Sequence, residues 1–319
     1  LNMLVSLALF FIGLVLVLHF AGKLVKGAVG TSINLGVSTF IISVIFIGFD
    51  PENLAVGAVA SVNQVSGIAL GSIIGATMVA IALAFGFTAI ISPMTFKKTP
   101  LRILILPNLA ILLFSGLTLD GTLSRLDGII LFGGFIGVIL YLLKLNQEGY
   151  NIKPAHPLSK KAKSLQKQGL WKSLGVLFLS LGAIILGSEL IVYASKTFIS
   201  VLGLSDTFFG MIILAFLVSI EEVARELPAA LKGREDISYG NVVGSVFAFF
   251  LCNAGLIAMI HPVQVDAVTR LFYLPICFVT MILISFFMLN KRITKVMGGV
   301  LIAMYLIFVI GGYVIEHQI

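Results

Sequence analysis

The sequence is poor in charge. Of 319 residues, 21 are Lys or Arg and 14 are Asp or Glu, 11% together, where a soluble domain carries about 25%. Apolar residues make up 59%, and mean hydropathy is +1.13. A globule of this composition lacks the polar coat that water requires, so a soluble enzyme and a disordered chain are both excluded. Cysteine is scarce too. Cys252 and Cys277 both lie in apolar runs, which excludes a disulfide-stapled secreted scaffold. Long polar stretches are nearly missing: 145–170, containing NIKPAHPLSKKAKSLQKQ, is the single extended one.

What the chain has instead is long apolar runs. Crossing a bilayer as a helix takes roughly 20 such residues. Ten stretches qualify: 3–25, 36–60, 67–92, 101–119, 124–144, 171–195, 205–231, 237–260, 268–289 and 296–315. They do not alternate as the strands of a membrane barrel do. The expected fold is therefore all-α, a polytopic membrane protein of ten transmembrane helices. The first stretch has no basic n-region, its apolar part is too long and no small-residue cleavage site precedes the next span, so it reads as a span and not as a signal peptide.

A net charge of +7 and a pI near 9.4 would point to nucleic acid in a soluble protein. Placement of the charges says otherwise. All Lys and Arg except Arg125, Lys196, Arg225 and Arg270 fall in the connections after the odd-numbered spans. By the positive-inside rule those connections are cytoplasmic, including the linker 145–170, and both termini are extracytoplasmic. The basic linker then lies beside anionic headgroups, and no nucleic-acid partner is implied. The sequence sets no oligomeric state, and a monomer is compatible with it.

The linker divides the chain into halves of five spans each, 1–150 and 151–319. Gly71-Ser72-Ile73-Ile74-Gly75-Ala76 in the third span matches Gly240-Asn241-Val242-Val243-Gly244-Ser245 in the eighth. Leu35-Gly36-Val37-Ser38 matches Leu202-Gly203-Leu204-Ser205. Five is odd, so the second half enters the membrane inverted. Inverted repeats of this kind build secondary transporters, with the binding site between the repeats near mid-membrane.

Carboxylates at membrane depth are costly and therefore functional candidates. The second span holds Asp50 and Glu52, and the seventh holds Glu221, Glu222, Arg225 and Glu226. Pro51 lacks an N–H and frees a carbonyl about one turn earlier, near Ile47, with Gly48 adding freedom there. Freed carbonyls at depth are tolerated where they line a cavity. Carboxylates, carbonyls and hydroxyls make an all-oxygen site suited to a hard cation such as Ca2+. Glycines in the third and eighth spans would let those helices approach closely, bringing Ser72, Thr77, Asn241 and Ser245 toward the acids. Interhelical hydrogen bonding is the competing reading for each of these polar residues. Glu221 points about 100° away from Glu222 on a helix and reaches Arg225 at i+4. Glu222 can meet Arg225 at i+3. Arg225 and Glu226 read as a structural pair near the inner mouth. Asp50 is read three ways: a supporting acid, part of a wet access route, or a proton stop. Glu189 is read as a partner for a polar group of the first span, His19 being the candidate.

These motifs resemble the cation/Ca2+ exchanger superfamily, whose two α-repeats each carry a Gly-Thr-Ser-x-Pro-Glu type motif and then a Gly-Asn-x-x-Gly-Ser type motif. Pro51-Glu52 matches the first motif, Gly240–Ser245 matches the second well, and Gly71–Ala76 matches it more loosely. Spacing back from Ser245 and forward from Ser205 both reach Glu222. The resemblance implies an antiporter with Glu52 and Glu222 as paired Ca2+ ligands. It also implies that spans 1 and 6, which contain Gly22, Gly27, Gly182 and Gly187, slide across a fixed core. The chain departs from the family's pattern. The Thr-Ser pair is replaced by Gly48-Phe49 and by Val218-Ser219. In the Na+-coupled branch an Asn or Asp lies four residues beyond the second motif, and Ala80 and Phe249 stand there instead. With those oxygens gone, two buried carboxylates can carry protons.

The favoured reading is a secondary antiporter that exports Ca2+ in exchange for H+, not an enzyme and with no resident cofactor. Na+/Ca2+ or Na+/H+ exchange on the same fold is the alternative. A passive cation channel is more remote. So is an intramembrane enzyme, for which no Gly-x-Gly-Asp and no Ser–Lys or Ser–His pair is present within the spans.

Overall fold

The computed structural model describes residues 2–35, 50–95, 101–147, 169–233 and 235–316. Helix dominates, because a backbone at membrane depth must satisfy its hydrogen bonds internally. The helices are α1 (Met3–Asn34), α2 (Pro51–Val62), α3 (Ser66–Ile91), α4 (Leu101–Leu117), α5 (Arg125–Gln147), α6 (Leu170–Leu202), α7 (Asp206–Ser219), α8 (Glu221–Leu231), α9 (Ser238–Ile260), α10 (Thr269–Leu289) and α11 (Lys295–Glu316). Seven of the described helices are long and apolar enough to cross a membrane, and α7 with α8, bent by 49°, makes an eighth if taken as one span. Helix α4 has a shorter apolar stretch, Leu104–Leu117. The stretch expected at 36–60 is described only from Asp50 onward, and Gly48 and most of the linker 145–170 lie outside the described residues.

Two helices outrun their apolar cores. Helices α1 and α6 have 32 and 33 residues, where 3–25 and 171–195 were expected. At 1.5 Å per residue each is about 50 Å long, well beyond the ~30 Å hydrocarbon layer, so each tilts or projects from it. Gly203, in the left-handed conformation (φ +65), ends α6. Ser205 then caps α7, its Oγ accepting from the Phe208 amide at 3.0 Å.

The two long helices lie side by side and antiparallel. A Cβ on Gly13 would come within 2.5 Å of the Gly187 carbonyl, and one on Gly27 within 2.6 Å of the Leu177 amide. Gly27 and Gly187 thus serve close packing of the two helices. No atom lies within 4 Å of a Cβ placed on Gly22 or Gly182. Behind this pair, α3 and α9 are 94% and 83% buried over their apolar windows, against 28% and 33% for α1 and α6. The first pair is core. The second presents Phe11, Val15, Phe178 and Leu186 outward, as a lipid-facing layer should.

Contacts between the parts before and after the linker are crosswise. Gly86 of α3 meets Gly298 of α11, and Gly255 of α9 meets Gly128 of α5, each glycine against the other's carbonyl. The short strands follow the same rule. Strand β1 (Met94–Thr95) pairs antiparallel with β4 (Arg292–Ile293), and β2 (Thr122–Leu123) with β3 (Val263–Gln264).

Candidate cation site

Two helix starts carry the acids, the first buried and the second partly exposed. Helix α2 begins at Pro51, a position where a missing N–H costs nothing. Asp50 precedes it in extended conformation and caps it, Oδ1 accepting from the Asn53 amide at 2.9 Å. Glu52 falls in the first turn. In the other arm, α7 stops at Ser219, the axis bends at Ile220, and α8 starts with Glu221 and Glu222 in its first turn. No side chain caps α8. Helix starts leave backbone amides without intrahelical partners and helix ends leave carbonyls, so the starts of α2 and α8 and the end of α7 place polar backbone beside the acids.

Asn53 joins the breaks. Its Nδ2 donates to Asp50 Oδ2 at 3.1 Å and to Ser219 Oγ at 2.9 Å. Around this link, one carboxylate oxygen each of Asp50, Glu52 and Glu221 lie within 4.8 Å of one another. Asp50 is 0% exposed, Glu52 2% and Glu222 0%. Carboxylates this close repel strongly, and the charge is offset only by a cation or by protons held among them. Among the described residues, Glu52 Oε2 is buried without a hydrogen-bond donor, as is Oδ1 of Asn253. The Asn253 side chain reaches the first break, Nδ2 donating to the Asp50 carbonyl at 3.4 Å. The donor set is all oxygen and fits a hard cation such as Ca2+.

Glu222 is held differently. Asn241 Nδ2 donates to it at 2.6 Å and to Glu226 at 3.2 Å. Arg225 bridges the two adjacent acids, Nη1 donating to Glu222 at 3.1 Å and Nη2 pairing with Glu221. The i+3 and i+4 contacts expected of Arg225 are therefore both present. Its expected pairing with Glu226 is not seen among the described residues. Glu226 is fully buried and bonds Asn241, because Asn241 enters between the two turns of α8 that carry Glu222 and Glu226.

The remaining expected residues divide. Ser72 is buried against α2, its Oγ 2.2 Å from where a Cβ on Gly57 would sit, and donates to the Ala69 carbonyl. Thr77 donates to the Ile73 carbonyl of its own helix. Ser245 is fully buried beside Glu222. Gly71 and Gly75 do permit close approach: a Cβ on either would strike the backbone of α7 at Gly210 or Met211. Glu189 is exposed on α6 and accepts from Asn63 at 3.3 Å, not from His19.

Asn53 and Asn253 were not singled out from the sequence. A signal for each exists. Asn53 follows Pro51-Glu52 directly, at the position an Asp N-cap bonds. Asn253 is a lone amide in the apolar run Ala248–Leu256, and a polar residue in such a run seeks a buried partner. Helix α9 widens into π-type turns over Ala248–Asn253, a feature frequent at functional sites.

Comparison with known proteins gives the family and the fold. A family model described as sodium/calcium exchanger protein matches residues 5–144 and 172–314. The putative antiporter CaxA of Alkalimonas amylolytica is 29% identical over 95% of this chain and 97% of its own length. The sodium/calcium exchanger MaX1 of Methanosarcina acetivorans is 26% identical over 96% of this chain and 98% of its own. A solved structure of the sodium-calcium exchanger NCX_Mj, soaked with Na+ and Sr2+, shares the fold with a TM-score of 0.61 at 24% identity, covering 96% of this chain and 97% of that one.

Proposed function

The chain belongs to the sodium/calcium exchanger family, and from that membership we propose that it exports Ca2+ in exchange for H+ by alternating access at the joined helix breaks. Ca2+ is the cargo, bound between Glu52 and Glu222, with Asp50 and Glu221 completing the carboxylate set. Protons on these acids neutralise the site for the return step. The carrying observation is the convergence of two acidic helix starts, tied by the Asn53–Ser219 hydrogen bond.

The architecture behind it is ten spans in two inverted halves, 1–150 and 151–319, with both termini extracytoplasmic and the linker cytoplasmic. The crosswise contacts support the inversion. Gly86–Gly298 and Gly255–Gly128, like the strand pairs β1–β4 and β2–β3, exchange partners between halves as a two-fold axis in the membrane plane requires. Two apolar residues support H+ as counter-ion: Ala80 and Phe249, buried in α3 and α9, offer no side-chain oxygen.

Na+/Ca2+ exchange is the second reading. It is supported by the relative MaX1, a sodium/calcium exchanger, and by the Asn253 oxygen near Asp50, which has no partner among the described residues. Uptake of 45Ca2+ into proteoliposomes under separately imposed H+ and Na+ gradients decides between them. Uptake driven by H+ alone supports the proposal, uptake driven by Na+ alone supports the second reading, and uptake needing neither gradient defeats both.

A further inference from the structure

Arg225 is the residue that a cation site should not contain. It sits one turn into α8 and pairs with both Glu221 and Glu222. Its field extends further, since Asp50 and Glu52 also attract it, after Glu222 and Glu221. A fixed guanidinium among carboxylates meant for Ca2+ would repel the cargo. Yet its side chain is 25% exposed, and Glu221 is 30% exposed, while Glu222 is 0%. The arginine side chain is therefore partly exposed, while one of the two acids it pairs with is wholly buried. Arginine keeps its charge under all ordinary conditions, so it cannot leave the site by losing a proton. It can only move.

We propose that Arg225 is a tethered counter-cation, which occupies Glu221 and Glu222 when the site holds no Ca2+ and swings out toward its exposed side when Ca2+ binds. The inference rests on the Ca2+-antiporter reading and adds to it a built-in competitor. The physical need is plain. Leaving Glu222 buried and unpaired is costly, and Ala80 and Phe249 offer no side-chain oxygen to a second cation. Arg225 fills that need from within the chain whenever Glu222 carries neither Ca2+ nor a proton. Asn241, which holds the other oxygen of Glu222, keeps the carboxylate in place while the guanidinium moves.

The test measures Ca2+ binding to the purified full-length chain in detergent, by equilibrium dialysis with 45Ca2+. In Arg225→Gln the competitor is gone, and half-saturating Ca2+ should fall roughly tenfold, the size of a modest close charge-pair coupling. Arg225→Lys, which keeps a cation, should stay near wild type. Free guanidinium in the millimolar range should weaken Ca2+ binding to Arg225→Gln while leaving wild type little changed. Unchanged or weaker Ca2+ binding in Arg225→Gln overturns the inference and leaves the antiporter reading standing. No Ca2+ binding by wild type overturns both. The wild-type chain provides a measurement independent of any variant. Phenylglyoxal labelling of Arg225, read by mass spectrometry against Arg125 and Arg270, should rise on adding Ca2+. Constant or reduced labelling contradicts the swing.

Discussion

The two helix breaks are built from different parts. The first is Asp50-Pro51-Glu52-Asn53, self-capped by Asp50 and containing no cation. The second is Ser219-Ile220-Glu221-Glu222, uncapped at its start and neutralised one turn on by Arg225. In the first arm a carboxylate oxygen, Glu52 Oε2, has no donor among the described residues. In the second, Glu222 receives bonds from Asn241 and Arg225. The two acids that match in sequence are thus unequal in surroundings. In the exchange proposed above, the first takes a ligand directly and the second first releases one partner.

That contrast can be broken experimentally. The largest effect should come from Glu52→Gln, which removes the open acid. Ca2+ flux should fall by about 100-fold or more, corresponding to roughly 3 kcal/mol of lost charge interaction. Glu222→Gln should lose flux to a similar degree, and retained H+-driven flux in either variant would sink the site. Next comes Asn241→Leu, which frees the second arm. Losing a side chain that orients a ligand costs roughly 10–100-fold in affinity, read as half-saturating 45Ca2+. Asn53→Leu should cost less, about tenfold, because the backbone amide at position 53 still caps onto Asp50. An effect of Asn53→Leu larger than that of Asn241→Leu would reverse the ranking of the two arms. Gly210→Ala affects packing and not the acids. Its Cβ would lie 2.3 Å from the Gly67 carbonyl, so it should lower stability by about 1–3 kcal/mol, seen as a lower melting temperature in detergent. The smallest effect belongs to Glu189→Gln. That group is exposed and its bond to Asn63 is 3.3 Å long, so exchange should change by less than about twofold.

Much of this was legible along the chain because the bilayer enforces it. A residue at membrane depth is either apolar or must be paid for by partners, so Asp50, Glu52, Glu221 and Glu222 stand out from an apolar background. Pro51 announced the start of α2, since the first turn is where a helix tolerates a missing N–H at no cost. The second break had no such sign. Ile220 is an ordinary helix former, and the 49° bend there arises from how α7 and α8 pack. Partner choice was equally hidden. Asn241 could bond any of several groups, and only the approach of α9 to α8 selects Glu222 and Glu226.

The sequence by itself determined that the protein is a helical membrane protein with a few acids at depth, because apolar length and charge scarcity act locally and need no fold to be read. Tertiary structure alone decided which acids meet. Glu52 and Glu221 are separated by most of the chain, and their oxygens come within 4.8 Å, with Asp50, only because α2 and α7 cross end to end and Asn53 fastens them. The reason is physical: hydrophobicity places a helix in the bilayer, but without direction about which face turns inward. That choice falls to glycine contacts such as Gly71 on Gly210 and to hydrogen bonds that form only after the helices have docked.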